Sequence, residues 1–516
     1  MSPLREVYAL LLDWRVLSTA LIFVLTYFVG RFYHKVSKYP KGPFPYPVVG
    51  NLLTLRKVKN LWVKATEWSS SYGDVFTLWM GEKPMVVLNS YAVIREAFLD
   101  RRHEFSGRFP TKMGEFLLPL CSYVGALQVQ NDHDIMFEDY NPRWKALRKV
   151  ALLAVRKYAV SEQLETLCTS VVDAYVDSLK EGPQLVDSKE PFYFILFNLI
   201  GTSVYGAKFD KGCDEILRLQ RLSEEFFQTV PDGLPSDIVP WMGILYRSRE
   251  KKAEAITKEF VALTDELYSR AEAAYTPGKA DNFTHAMLAS REEAVLEEKS
   301  DAQYLTKANM IQVIIDIFGA ASDTSTRTLQ FLTLRLAQEP AYQDRIKKEI
   351  DEKIGRRPPV YGDRANLPFT VACLLETLRF HPVAPFGLPH NTSTNTTVGG
   401  LTIPKDTGII YNIYGVNHDP KLWDEPEIFR PERFLDPSTG ALRKDVGPLL
   451  SFGLGPRTCP GEKLAHVDMF YILVRLMQRV TWAAPNNEPS KVNIDSIGSS
   501  LFLVAAQQDI VITKKA

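Results

Sequence analysis

Apolar positions recur at i, i+3, i+4 and i+7 through much of the chain, which predicts helices over 143–180, 213–229, 248–275, 306–338, 341–354 and 462–480. Residues 73–90, 394–414 and 497–513 instead alternate, or are β-branched with turn residues between, and predict strands. Two segments rich in charge and turn residues, TPGKADN (276–282) and REEAVLEEKSD (291–301), read as solvated loops. The fold class is therefore mainly α with a small β portion. The stretch from Thr306 to Gln338 opens on an N-cap residue and stops before Pro340, and at 1.5 Å per residue it spans roughly 50 Å. Asn309, Gln312, Asp316, Asp323 and Arg327 interrupt its apolar character, which argues against a membrane span.

The N-terminus follows a different pattern. Val16 to Gly30 runs without a charge between Arg15 and Arg31. A bilayer crossing needs roughly 20 residues; the two flanking arginines can snorkel, and Trp14, Phe32 and Tyr33 suit the interface. No small-x-small cleavage site accompanies it, so residues 1–38 read as a membrane anchor. Arg31, Lys35, Lys38 and Lys41 follow without an acid, whereas Arg5 and Arg15 are balanced by Glu6 and Asp13, so the positive-inside bias puts the body in the cytosol. The sequons at Asn282, Asn391 and Asn395 should then stay unglycosylated. Pro40, Pro43, Pro45 and Pro47 form a stiff elbow, and residues 39–516 follow as one domain without internal repeat or long linker.

Composition narrows the function classes. The 516 residues are 46% hydrophobic, 24% charged and 11% aromatic, an ordinary globular balance. Lys+Arg 61 against Asp+Glu 61 gives no chain-wide footprint for nucleic acid. The cysteines (Cys121, Cys168, Cys213, Cys373, Cys459) are odd in number and scattered without a CxxC pair, which argues against a disulfide framework or zinc ribbon.

The segment from Phe452 to Gly461 (FGLGPRTCPG) sets three glycines and Cys459 just before a helical pattern. Glycines let amide N–H groups approach a sulfur, and the next helix adds its positive end; both favour a thiolate. A single thiolate without a second ligand at chelating spacing suits a macrocycle that supplies the other ligands. The alternative is a buried structural cysteine in a Gly-rich turn.

Phe452, Gly455, Arg457, Cys459 and Gly461 match F-x-x-G-x-R-x-C-x-G, and here the chain resembles the cytochrome P-450 haem-thiolate monooxygenases, from the proline elbow to the C-terminus. The resemblance implies the fold of that family, a haem (heme b) cofactor, Cys459 as its axial thiolate, and insertion of one oxygen atom from O2 with electrons from NADPH. It also implies that Glu376 and Arg379 (ExxR) join Arg433 of Pro431-Glu-Arg433-Phe434 in a buried triad. Trp144 and Arg148 resemble W-x-x-x-R and, with His390 and Arg457, would bind the haem propionates; His390 stands where arginine is common. Ala320-Ala-Ser-Asp323-Thr324-Ser resembles the acid-alcohol motif, so Asp323 and Thr324 would organise a water relay at a local opening of the helix, with Ala321 standing where glycine is frequent. Ala320, Val383 and Ala384 match substrate-lining positions.

FSGRF (105–109), DIVPW (237–241), DIFGA (316–320) and HPVAP (381–385) resemble the animal microsomal group that includes steroid 17-alpha-hydroxylase, steroid 21-hydroxylase and xenobiotic-oxidising members. That group implies an endoplasmic reticulum membrane protein with a steroid-like apolar substrate. It also implies an NADPH-cytochrome reductase docking on Lys145, Lys149 and Arg156, with Arg143 and Lys463 nearby. Xenobiotics, fatty acids or terpenoids are alternative substrates. A haem-thiolate isomerase or lyase would not need the acid-alcohol pair, and a non-catalytic haem sensor would need neither that pair nor a reductase face.

Overall fold

The computed structural model describes residues 14–110, 134–158, 162–206, 213–230, 236, 240–498 and 502–515. Its longer elements, in chain order, begin with helix α1 (Trp14–Val36), α2 (Leu61–Tyr72), and strands β1 (Val75–Met80), β2 (Lys83–Leu88) and β3 (Gly107–Arg108). Then come α3 (Pro142–Tyr158), α4 (Glu162–Asp177), β4 (Pro183–Asp187), α5 (Glu190–Tyr205), α6 (Asp214–Thr229), α7 (Arg247–Ala274), α8 (Phe283–Leu296) and α9 (Lys307–Gln338). They are followed by α10 (Pro340–Lys353), α11 (Pro368–Phe380), β5 (His390–Asn391), β6 (Thr396–Val398), β7 (Leu401–Ile403), β8 (Gly408–Tyr411) and α12 (Glu462–Arg479). The last strands are β9 (Val480–Ala483), β10 (Ser496–Gly498), β11 (Leu503–Ala505) and β12 (Asp509–Lys514).

Helix α9 is the axis of the domain. Thr306 caps it, its hydroxyl accepting from the Asn309 N–H at 3.2 Å. From Asn309 to Phe318 every residue is buried, and α5, α7, α10, α11 and α12 pack around the helix. A second apolar cluster (Val86, Ile94, Phe98, Phe105, Ile409 and neighbours) lies under a five-stranded sheet of order β1-β2-β8-β5-β3. In that sheet β3 pairs antiparallel with β5 so that Arg108 sits directly opposite His390. Opposed residues share a face, so this register brings together a guanidinium and an imidazole 282 positions apart in sequence.

The departures from the expected elements have local causes. The span 143–180 is two helices, α3 and α4. Helix α5 (EPFYFILFNLIGTSVY) escapes a periodicity search because it is apolar on all sides and nearly all buried. Residues 291–296, expected in a loop, complete α8, whose polar end faces outward. The start of α8 is held by Asn282, whose side-chain oxygen accepts from His285 N–H at 2.8 Å; that sequon is buried.

Helix α1 is the one helix among the described residues long and apolar enough to cross a membrane, and its apolar length is exposed. Its last turn is docked. Phe32 is 5% exposed and packs edge-on against Trp79 at 5.5 Å. Tyr33 stacks on Phe44 at 5.6 Å, and Lys35 donates to the Glu82 carbonyl at 2.9 Å. The last turn of α1 is thus packed against the hairpin β1–β2 and the proline elbow.

Candidate functional site

Cys459 lies between the short turn Gly455–Arg457 and the first residue of α12. Its N–H donates to the Phe452 carbonyl at 2.8 Å. Gly455 has a φ of 79°, and a Cβ there would stand 2.2 Å from the Phe98 carbonyl oxygen, so only glycine lets this loop dock on the segment 96–100. Cys459 is exposed although protein surrounds it closely; it lines an interior recess. Burial pushes its thiol up, opposed by the N–H groups of Gly461 and Glu462 and by Arg148. The amides act in the expected direction, but burial outweighs them; a metal ion at the sulfur would remove the proton outright. The four described cysteines are all free, and among the described residues no group of three or more His, Cys, Asp or Glu side chains could hold a metal ion. Cys121 lies outside the described residues.

Three guanidinium groups and one imidazole gather near this sulfur. Arg457 donates from Nε to the Ser106 carbonyl at 3.0 Å and from Nη2 to the Glu138 carbonyl at 2.8 Å, while its buried Nη1 has no partner. Burial, with Arg108 and Arg148 close by, pushes its pKa down. Arg148 donates to the Thr458 carbonyl. His390 Nδ1 lies 2.9 Å from the Phe105 carbonyl, which makes Nδ1 the donor and turns Nε2 away from it; burial holds the ring well below the usual imidazole range. Arg108 donates from Nε to the Met136 carbonyl at 2.8 Å. Sequence reasoning used Arg108 only as part of FSGRF; its role becomes visible through the β3–β5 register.

Trp144 differs from its expected role as a donor. Its indole N–H is engaged with the Ile135 carbonyl at 3.1 Å, and its ring instead receives the guanidinium of Arg457 at 4.0 Å and of Arg148 at 5.3 Å. On the far side of the loop, Glu376 and Arg379 are fully buried. Arg379 donates from Nε and Nη2 to Glu376 at 2.7 and 2.8 Å, and Arg433 Nε donates at 3.1 Å to the same carboxylate. The structure thus brings the three triad residues together, each with additional backbone partners such as Asn417 and Asp424.

Near its middle, α9 changes character. Ala320 is exposed and Gly319, Ala321 and Thr324 are half-buried, an open stripe on an otherwise buried helix. Asp323 and Thr324 point apart. Thr324 donates to the Ala320 carbonyl at 2.7 Å, while buried Asp323 is paired with Arg327 and accepts from the Tyr193 hydroxyl at 3.2 Å. The helix is continuous through this stripe, so the expected local opening is not present; the hydroxyl bond back to Ala320 takes up the carbonyl's second lone pair without breaking the helical ladder. Val383 is buried, its carbonyl accepting from Leu503 N–H at 2.8 Å, and Ala384 beside it is half-buried.

The outer surface behind Cys459 is a shallow depression lined by Trp144, Lys145, Arg148, Lys149, Leu152, Leu153, Arg156 and Pro456. Lys145 lies 4.7 Å over the Tyr140 ring and Lys149 3.6 Å from Asp301. Arg143 turns instead toward Glu138 and Tyr304.

Cys459 thus stands at a helix start with buried guanidinium groups nearby, and α9 carries an open stripe on an otherwise buried length. Comparison with known proteins gives the family. The sequence model described as Cytochrome P450 matches residues 40–509. Cytochrome P450 1A1 of Sparus aurata is 31% identical over 462 residues, covering 87% of this chain and 86% of the relative. The protein of the same name from Homo sapiens is 29% identical over 489 residues, covering 91% and 92%. The chain belongs to the cytochrome P450 family. It is a haem-thiolate monooxygenase, an oxidoreductase of a family whose members hold haem iron through a cysteine thiolate. Membership implies a protein that supplies electrons, an apolar substrate and O2.

Proposed function

We propose that Cys459 is the axial ligand and that Arg108, Arg148, His390 and Arg457 hold the two propionates of the haem. The unpartnered, buried Nη1 of Arg457 is the observation that carries this, because a buried guanidinium N–H without an acceptor is costly and an anion meets the need. With Nδ1 of His390 already donating to Phe105, Nε2 can donate to a carboxylate only as imidazolium, so anion binding there would take up a proton. Trp144 contributes a flat face that aligns two guanidinium groups. The Glu376–Arg379–Arg433 triad braces the cysteine loop and takes no part in chemistry.

When bound, the haem supplies dioxygen activation. The chain's own part is positional: the amide groups at 461 and 462 and Arg148 favour the anionic sulfur, and the stripe at Gly319, Ala320 and Thr324 leaves room on the opposite side. The Thr324 hydroxyl is the proton-bearing group at that stripe; Asp323, turned away from it and held by Tyr193 and Arg327, would have to leave those partners to feed it. An isomerase or lyase would not need this pair. The Cys459→His variant tests the ligand: the reduced carbon monoxide complex should lose its red-shifted Soret band, and an unchanged band would sink the assignment.

We further infer a rigid, steroid-like apolar substrate, because a Cβ at Gly319 would meet nothing within 4 Å and Ala320 is the most exposed residue of the stripe. Ala320→Leu should weaken binding of a steroid probe and shift the oxidised carbon; a panel in which fatty acids, terpenoids or aromatic xenobiotics all bind more tightly than every steroid would refute the class. Helix α1 supports a single-pass anchor in the endoplasmic reticulum with the catalytic domain cytosolic, and an NADPH-cytochrome reductase would dock on the Lys145–Lys149–Arg156 surface.

A further inference from the structure

One five-residue loop, 134–138, is a hub for the cation cluster. Three of its carbonyls accept from the cluster: Ile135 from the Trp144 indole at 3.1 Å, Met136 from Arg108 Nε at 2.8 Å, and Glu138 from Arg457 Nη2 at 2.8 Å. Its N–H groups face the other way. Those of Ile135 and Met136 both donate to Oδ2 of Asp316, at 2.9 and 3.1 Å. Those of Phe137 and Glu138 donate to Oδ1 of Asp134 at 2.8 and 2.7 Å, folding the loop on itself. Asp316 is thus the group through which this loop is tied to α9, 181 residues away from Ile135.

We propose that Asp316 is a positioning residue for the cofactor cradle: by fixing the loop 134–138 against α9 it sets where Trp144, Arg108 and Arg457 point. This rests on the reading of those cations as the propionate site. The same carboxylate is one helical turn before Ala320, so the wall of the substrate recess and the cradle share a single fixed point on α9. A carboxylate oxygen that accepts from two consecutive amides fixes both the height and the rotation of a loop, which a single bond does not. Burial, with Asp134 nearby, pushes the Asp316 carboxyl well up, so a neutral amide is a close stand-in for it. The acceptor, and not the charge, carries the role.

The test measures haem loss from the full-length ferric enzyme to excess apomyoglobin, with Asp316→Ala, Asp316→Asn and Arg457→Leu side by side. Asp316→Ala should lose haem about tenfold faster, within the range of roughly 10–100-fold seen when groups that orient ligands are removed. Asp316→Asn should stay within about twofold of the parent. Rapid loss from Arg457→Leu together with parental retention in Asp316→Ala would overturn the inference and leave the cradle standing. Parental retention in Arg457→Leu would overturn the cradle and the inference with it, and rapid loss from Asp316→Asn would overturn the acceptor role. Should Asp316→Ala not fold, hydrogen exchange of the wild-type holoenzyme decides: protection of the Ile135 and Met136 amides supports the clamp, and exchange at the rate of open loops overturns it.

Discussion

The hydroxyl of Tyr193 on α5 donates to the carboxylate of Asp323 on α9 at 3.2 Å, and Arg327 holds the same carboxylate from one turn further along the helix. Lys189 lies 4.3 Å over the Tyr193 ring and pairs with Glu224 at 3.3 Å at the surface. The acid of the acid-alcohol motif is therefore engaged by α5 and Arg327, while the Thr324 hydroxyl bonds to the Ala320 carbonyl instead.

That division gives Thr324 and Tyr193 separable phenotypes. Thr324→Ala should leave the haem spectrum and substrate affinity intact while raising hydrogen peroxide formed per NADPH consumed; full coupling would place the relay elsewhere. Tyr193→Phe removes one donor from a buried carboxylate, a loss of about 1–3 kcal/mol in stability, read as a lower melting temperature. That loss should vanish when Asp323→Ala, which removes the acceptor, is already present.

The triad predicts a contrast between neighbours. Glu376→Gln leaves Arg379 and Arg433 buried without their counter-charge and should cost about 3–5 kcal/mol. Arg430, whose side chain pairs with Asp424 and Glu425 at the surface, contributes only its backbone N–H to Glu376 at 2.7 Å. Arg430→Ala should therefore change stability by less than about 1 kcal/mol. Denaturant titration of both variants checks the difference.

Acid should weaken the protein through His418. Burial and the nearby Arg379 depress its pKa from 6.5 to about 3. The unfolded chain takes up the proton first, so stability contributed by the neutral ring is present above pH 6.5 and is lost as pH falls toward 3. The full loss is about 5 kcal/mol at most. His418→Gln should flatten the decline of the melting temperature over that interval; an unchanged slope would assign acid sensitivity to other groups.

Reductase docking has an electrostatic test. Reversing Lys145 and Lys149 to Glu should raise the reductase concentration for half-maximal turnover, with an effect that shrinks in high salt. Unchanged dependence would mean that these lysines only serve Tyr140 and Asp301.

Much of this molecule was legible from spacing alone. Thr306 and Pro340 bracket α9 as local chemistry requires, and Glu376 and Arg379 share a face because three residues make nearly one turn. What escaped the sequence depends on contacts between distant segments. The role of Arg108 follows from a two-residue strand pairing with His390, and that of Asp316 from a loop 181 residues earlier. Trp144 shows the reverse limit: a motif gave the residue, but its N–H belongs to Ile135. Helix α5 was hidden because burial on every side erases the periodic signal.

The docked last turn of α1 turns a tether into a mast. Because Phe32 is wedged against Trp79 and Lys35 is fastened to the hairpin at Glu82, the helix and the body rotate as one piece. With the helix anchored as proposed above, the tilt imposed by a lipid bilayer would become the heading of the recess and of the basic depression behind Cys459. A change in bilayer thickness that leans the helix over would swing both openings through the same angle, without altering any bond inside the domain.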